Sequence, residues 1–143
     1  MKTYDFKHYS VIFADTLIEG WAPGTAVTVS PEGPGFTDQV GTDGNVVRER
    51  SNDRRVTVTF ALMQTSESND FLSDLYLADR ELLNGRGPAS LRIVDRFGST
   101  VFEAAKAWIQ KDPEATLDAT ATEREWEIRV AEMRPFHGSV RDD

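Results

Sequence analysis

Residues 55–64 read Arg55-Val56-Thr57-Val58-Thr59-Phe60-Ala61-Leu62-Met63-Gln64. Their period is two: Val56, Val58, Phe60 and Leu62 point one way, and Thr57, Thr59, Ala61 and Met63 the other, which is a strand with one face in a core. A single helix follows, at about residues 68–84. Ser66 or Ser68 can cap it, and Asn69 and Asp70 suit its positive N-terminal end. Phe71, Leu72, Leu75, Ala78, Leu82 and Leu83 recur at three- and four-residue steps, and Asn84-Gly85 supplies a left-handed stop.

Strands lie on both sides of this unit. Upstream, residues 8–13 and 25–30 are short β-branched runs separated by Gly20, Pro23 and Gly24. Pro31-Glu32-Gly33-Pro34-Gly35 is a loop, since no strand absorbs two prolines and two glycines in five residues. Residues 36–50 then form two extended segments around Gly41-Thr42-Asp43-Gly44, and Asp-Gly between such segments signals a hairpin. Its polar composition (Thr37, Asp38, Gln39, Arg48, Glu49, Arg50) makes it a projecting hairpin. Downstream, Leu91 and Ile93 alternate with Ser90 and Arg92, and Asp95-Arg96-Phe97-Gly98 is a turn. Residues 100–110 carry alanines that suit a helix but follow a hairpin turn, and are taken as a strand. Residues 111–122 read as a loop, and 123–134 as a strand with Trp126, Ile128 and Val130 inward. The fold class is therefore mainly β: two packed antiparallel sheets, a sandwich or distorted barrel, with one helix, in a single domain spanning 1–143. The polar tail 138–143 is expected to move on its own.

Composition narrows function. The 143 residues contain no cysteine, which removes disulfide scaffolds, thiolate metal sites and thiol nucleophiles. Two histidines, His8 and His137, are too few for a histidine-rich metal centre. No apolar run is long enough to span a membrane, and the first residues lack the apolar stretch of a signal peptide, so the chain reads as cytosolic in type. A formal charge of −8, with no basic segment, opposes a nucleic-acid grip, because that grip relies on cations displacing condensed counterions.

Catalytic and binding constellations are absent. No Gly-x-Ser-x-Gly context surrounds a serine, and Gly41-Thr42-Asp43-Gly44 lacks the Lys-Ser/Thr and helix of a phosphate loop. Asp112, Glu114 and Asp118 are interrupted by Pro113 and lack calcium-loop spacing. Trp21, Trp108 and Trp126 are core residues, with a sugar platform as the sharper alternative. No enzyme activity, cofactor or metal is expected. What stands out is the sheet margin. Lysines are 4 against 12 arginines, and few prolines guard the edges, so pairing with further copies into a larger barrel is one way to protect them.

The order of segments resembles the tail tube proteins of contractile-tailed bacteriophages. The resemblance rests on Gly24-Thr25-Ala26-Val27-Thr28-Val29, on Val40-Gly41-Thr42-Asp43-Gly44 running through Arg48 to Asn52-Asp53, and on Val56 through Ser66 with Ser68-Asn69-Asp70. Ala107-Trp108-Ile109 and Arg124-Glu125-Trp126-Glu127-Ile128 complete it. It spans nearly the whole chain, with a charged link at 78–90 as the departure.

The resemblance implies homohexameric rings stacked into a tube within a contractile sheath, in a virion tail assembled in the host cytoplasm. Implied partners are further copies, sheath and baseplate or terminator proteins, and double-stranded DNA in passage without specific binding. It places the helix outside the barrel wall and the hairpin against the next ring, with Phe36, Val40, Asp43, Arg48 and Arg50 as contact residues. Lumen-facing candidates are Glu125 and Glu127, opposite the inward Trp126 and Ile128, then Thr57 and Thr59. Acidic walls keep a polyanion mobile. The alternatives are a tube subunit of a secretion or contractile injection system, and a monomeric β-sandwich binding module using the tryptophans.

Overall fold

The structure, a computed structural model, describes residues 1–140. In chain order the strands are β1 (Tyr9–Phe13), β2 (Thr16–Leu17), β3 (Val27–Pro31), β4 (Phe36–Val40), β5 (Val46–Arg50) and β6 (Val56–Met63). Helix α1 (Ser68–Glu81) follows, then β7 (Ala89–Asp95), β8 (Val101–Lys111), β9 (Glu123–Val130) and β10 (Arg134–Phe136). All pairing is antiparallel. Eight strands form one sheet in the order β2-β1-β7-β8-β9-β6-β3, with β10 on β8, and β4-β5 form a separate two-stranded sheet. The mainly β class with one helix and a projecting hairpin is what the alternation indicated.

The packed layers come from one sheet that curls. β1 and β3 lie far apart along the pairing path, yet Val11 and Ile93 line the same cavity of 290 Å³ as Val27 and Val29. The two halves thus face each other across a shared core, which runs from Phe13 and Leu91 to Phe60, Trp126 and Ile128. The path is nevertheless open, with β2 at one margin and β3 at the other.

β8 makes the bend. Its first half pairs with β7 and β10 and its second with β9. Phe102 and Ala104 are buried, Ala105 and Lys106 are both exposed, and burial resumes at Ala107 and Ile109. The two-residue period slips by one, and the β7–β8 register shifts at the same level. An extra residue inserted in one strand raises local twist and turns it from one layer into the next. This strand settles the ambiguity at residues 100–110: the alanine-rich run is extended, with Ala104 and Ala107 buried and Ala105 exposed.

Helix α1 is shorter than its apolar stripe suggested. It ends at Glu81 because Leu82 adopts an extended conformation, leaving Leu82 and Leu83 exposed. Gly85, with φ +70°, sits in the following loop, where the Asp79 carboxylate accepts from the N–H groups of Arg86 and Gly87 at 2.8 and 3.2 Å. Glu67 at the N-cap makes no side-chain cap bond, but Ser66 Oγ accepts from Ser68 N at 3.2 Å, so one of the two serines does hold a first-turn N–H. Ser68 Oγ accepts from Glu19 N at 3.0 Å, and the Ser66 hydroxyl donates to the Glu19 carbonyl, fastening the helix start to the 19–20 turn. Leu72 is the fully buried helix residue, and Trp126 Nε1 donates to Asn69 Oδ1 at 3.0 Å.

Two short strands escaped the sequence reading. β2 has two residues; the run read as 123–134 ends at Val130, where the chain breaks at Ala131-Glu132, and β10 starts at its last residue, Arg134, and runs beyond it to Phe136. The described part of the C-terminal tail is bonded to residues 98–100. Gly138 N donates to Thr100 Oγ1 at 3.1 Å, Ser139 N to Ser99 Oγ at 3.1 Å, and Val140 bridges Gly98; residues 141–143 of that tail lie outside the described residues.

Candidate functional site

The residues singled out by the sequence fall on two surfaces. The first is the outward face of β6 and β9. In register, Thr57 lies opposite Arg129, Thr59 opposite Glu127 and Ala61 opposite Glu125. The four residues singled out on these strands, Thr57, Thr59, Glu125 and Glu127, therefore share one face, while Trp126 and Ile128 are buried on the other. Pairing with β8 extends the rows: Trp108 stands beside Arg129 and Lys111 beside Glu127. At one end the 111–122 loop encloses an acidic hollow of 370 Å³, lined by Asp112, Glu114, Glu123, Glu125 and Glu127 with Lys111. Ala61 is buried although it lies on this face; beside it the Trp21-Ala22 segment pairs along the β6 edge, with Ala22 N donating to Ala61 O at 2.9 Å.

The alternation places Arg129 on this face with Glu125 and Glu127, as the register shows, but gives no sign of its partners. Its Nη1 lies 2.7 Å from Glu32 Oε1, and its Nε donates to Gln110 Oε1 at 2.7 Å. Glu32, from the loop that begins after Pro31 because β3 takes that proline in at its end, has no periodic signal at all. It accepts from Thr57 Oγ1 at 2.8 Å. That hydrogen bond, with Arg129 beside it, holds the Glu32 carboxyl below the usual carboxylate range. Thr57 is thus occupied by a partner from its own chain.

Trp108 corrects the reading of three core tryptophans. Trp126 is buried, and Trp21 packs edge-on against Phe60 at 5.5 Å. Trp108, opposite Arg129, is half-buried on the outward face, because the β8 bulge reverses which residues point inward. Indoles on opposite faces make no sugar platform. The histidines pack on rings, His8 against Phe97 at 4.2 Å and His137 against Phe102 at 5.1 Å. Among the described residues no group of His, Asp and Glu is arranged to hold a metal ion.

The second surface is the β4–β5 hairpin, all ten strand residues of which are exposed. Cross-strand pairs put Phe36 with Arg50, Asp38 with Arg48 and Val40 with Val46 on one face, and Thr37 with Glu49 and Gln39 with Val47 on the other. The first face is half apolar yet uncovered: Phe36 is 50% exposed, Val40 69% and Val46 63%. Arg48 stacks over the Phe36 ring at 4.5 Å. The connection is not a two-residue Asp-Gly turn but five residues, 41–45, closed by Gly41 N to Asn45 O at 2.8 Å, with Gly44 at φ +88°. Asp43 serves the turn: its carboxylate accepts from Asn45 N and Nδ2 at 3.2 and 2.7 Å. The hairpin is thus ordered by its own turn and ladder.

Known proteins resemble this chain over most of its length. A Pseudomonas phage KPP10 protein described as "Structural protein ORF10" is 29% identical over 121 residues, covering 85% of this chain and 70% of that one. Among solved structures, a chain of the anti-feeding prophage cap (AFP tube terminating cap) superposes with TM-score 0.59 at 6% identity, covering 99% of this chain and 93% of that one. The sheath/tube terminator of an extracellular contractile injection system, PVC, in the extended state, also gives 0.59, at 11% identity over 96% and 99%. A chain of the native gene transfer agent particle gives 0.57 at 11% over 94% and 100%. At such identities these three establish the fold alone. The profile of the bacteriophage PhiTE tail tube protein family, however, matches residues 12–138. This chain therefore belongs to the bacteriophage PhiTE tail tube protein family and is a structural protein of the virion tail.

Proposed function

We propose that the protein is a ring-forming subunit whose hexameric rings stack into the tail tube, inside a contractile sheath, as a conduit for double-stranded DNA. The observation that carries this reading is the pairing of an open sheet with an uncovered hairpin. Among the described residues, β2 and β3 each present a free edge, and Phe36, Val40 and Val46 expose apolar surface that nothing covers. Free edges suit neighbours in a ring, and a protruding hairpin suits the adjacent ring. In this reading Phe36, Val40, Arg48 and Arg50 contact the next ring, while Asp43 acts by shaping the tip.

The outward face of β6 and β9 lines the bore. Duplex DNA carries about one charge per 1.7 Å, so cations along the wall would hold it at every ring. Glu125 and Glu127 oppose that grip, and Arg129 is matched by Glu32. Sheath, baseplate and terminator proteins are the further partners. Purified protein is expected to form rings or tubes in negative-stain micrographs; a strict monomer by light scattering at high concentration would overturn the proposal. Glu125→Lys with Glu127→Lys is expected to leave assembly intact and slow DNA ejection, and ejection at the wild-type rate would remove these residues from the bore.

A second reading is a terminator that caps the tube, favoured by the superposition on two terminating components. Single rings that never elongate, and that attach to tube ends, would select it. A tube moving protein effectors in an injection system remains the alternative that genomic neighbours would separate.

A further inference from the structure

The ion pairs of this protein are unevenly placed. Four occur among the described residues, and three of them sit at the base of the hairpin: Arg54–Glu132 at 2.6 Å, Arg55–Asp53 at 2.9 Å and Arg129–Glu32 at 2.7 Å. The two chain segments that carry the hairpin are also tied to each other, Glu32 N to Arg55 O at 3.1 Å and Ser51 N to Gly35 O at 2.8 Å. Each root is then tied to β9 or the chain just after it. Glu32, in the incoming root, reaches Arg129 and Thr57, and Arg129 is braced by Gln110 of β8. Arg54, in the outgoing root, reaches Glu132. Arg55 forks onto both carboxylate oxygens of Asp53 at 2.9 Å each, stiffening the outgoing root itself.

The hairpin needs such fastening. β4 and β5 pair with each other alone, and no residue of either strand is buried. Packing therefore does not fix the angle at which they leave the body. An exposed ion pair alone is worth little, but several acting on adjacent residues of one lever restrict it together. Arg129 and Glu32 are the best shielded of the set, with side chains 17% and 32% exposed.

We propose that Glu32 and Arg129, with Arg54–Glu132 in support, are positioning residues that mount the hairpin at a fixed angle in the free subunit, so that it meets its target already aimed. The target itself rests on the reading that the hairpin contacts the next ring; the mount does not.

The chain lacks cysteine, so spin labels at Thr42→Cys on the hairpin tip and Asp74→Cys on α1 report the angle as a distance distribution in the full chain. The wild type is expected to give one narrow distribution. Glu32→Gln or Arg129→Gln is expected to raise the population outside it about fivefold, a change of the size one ion pair supplies, and the exchange Glu32→Arg with Arg129→Glu to recover most of the narrow distribution. An unchanged distribution in the single variants overturns the mount. Broadening that the exchange fails to reverse also overturns it, because lost packing would then be the cause. Negative-stain microscopy of the same variants separates the two layers: broadening with fewer or shorter tubes supports both, whereas broadening with normal tubes sustains the mount and removes the hairpin from ring stacking.

Discussion

The β6–β9 ladder and the β4–β5 hairpin are both regular antiparallel pairs, yet they stand at opposite ends of the burial scale. In the first, Val58, Phe60, Ile128 and Val130 are completely buried and Trp126 nearly so. In the second, nothing is buried and four large apolar side chains, Phe36, Val40, Val46 and Val47, face water. Both ladders run in register without a shift, so backbone pairing does not distinguish a core strand from an exposed one. Side-chain burial does. A lone two-stranded ribbon is marginal in water; here a tight turn, an Arg48–Phe36 stack and ion pairs at its roots support it while its apolar side chains stay exposed.

The widest separation between the regions is expected from matched aromatic truncations. Phe60→Ala removes a ring from the centre of the core and should cost about 3–5 kcal/mol, read as a fall in the denaturant midpoint. Phe36→Ala should stay within about 0.5 kcal/mol of wild type. Comparable losses at both sites would mean the hairpin carries folding energy. Next in size is Asn69→Ala, which leaves the Trp126 indole N–H buried without its partner and should cost about 1–3 kcal/mol; a neutral result would show that the helix is held by Leu72 and its neighbours alone. Val40→Asp with Val46→Asp should leave unfolding within about 0.5 kcal/mol while shortening or abolishing tubes in micrographs. Tubes of normal length would detach the apolar face from stacking.

The smallest effect concerns acid. The Arg55 fork holds the Asp53 carboxyl down at about 2, and Thr57 with Arg129 lowers that of Glu32. A carboxyl lowered by folding contributes above its unfolded value and loses that contribution as pH falls through the folded one. For Asp53 that window runs from 3.8 down to about 2. The hairpin base should therefore hold unchanged at neutral pH and loosen only in this acid range, visible as faster amide exchange at residues 51–55 before the core opens. Loosening near pH 6 would point to a different group.

Much of the architecture was legible because it is local. Val56 to Leu62, Leu91 to Ile93 and Trp126 to Val130 announce their buried faces by alternation, and Phe71, Leu72 and Leu75 announce a helix. Legibility failed where neighbours in space overrule neighbours in sequence. The stripe reaching Leu83 outran the helix because no core receives Leu82. Trp108 was taken inward because the slip at Ala105-Lys106 depends on how β8 passes from β7 to β9. Of the outward face, Thr57, Thr59, Glu125 and Glu127 were readable from their spacing, whereas Glu32 was not, since a glutamate in a Pro-Gly loop carries no mark of the arginine it will meet.

The chain's own order of residues was enough to establish strands, a helix, a hairpin and which side chains avoid water, since each follows from a periodicity within a few residues. Only the folded molecule decided that one sheet supplies both layers, that its margins stay open, and that charges from distant segments converge at the hairpin's roots. Those outcomes depend on sheet order and curl, which set distances between residues far apart in the chain, and no local pattern encodes such distances.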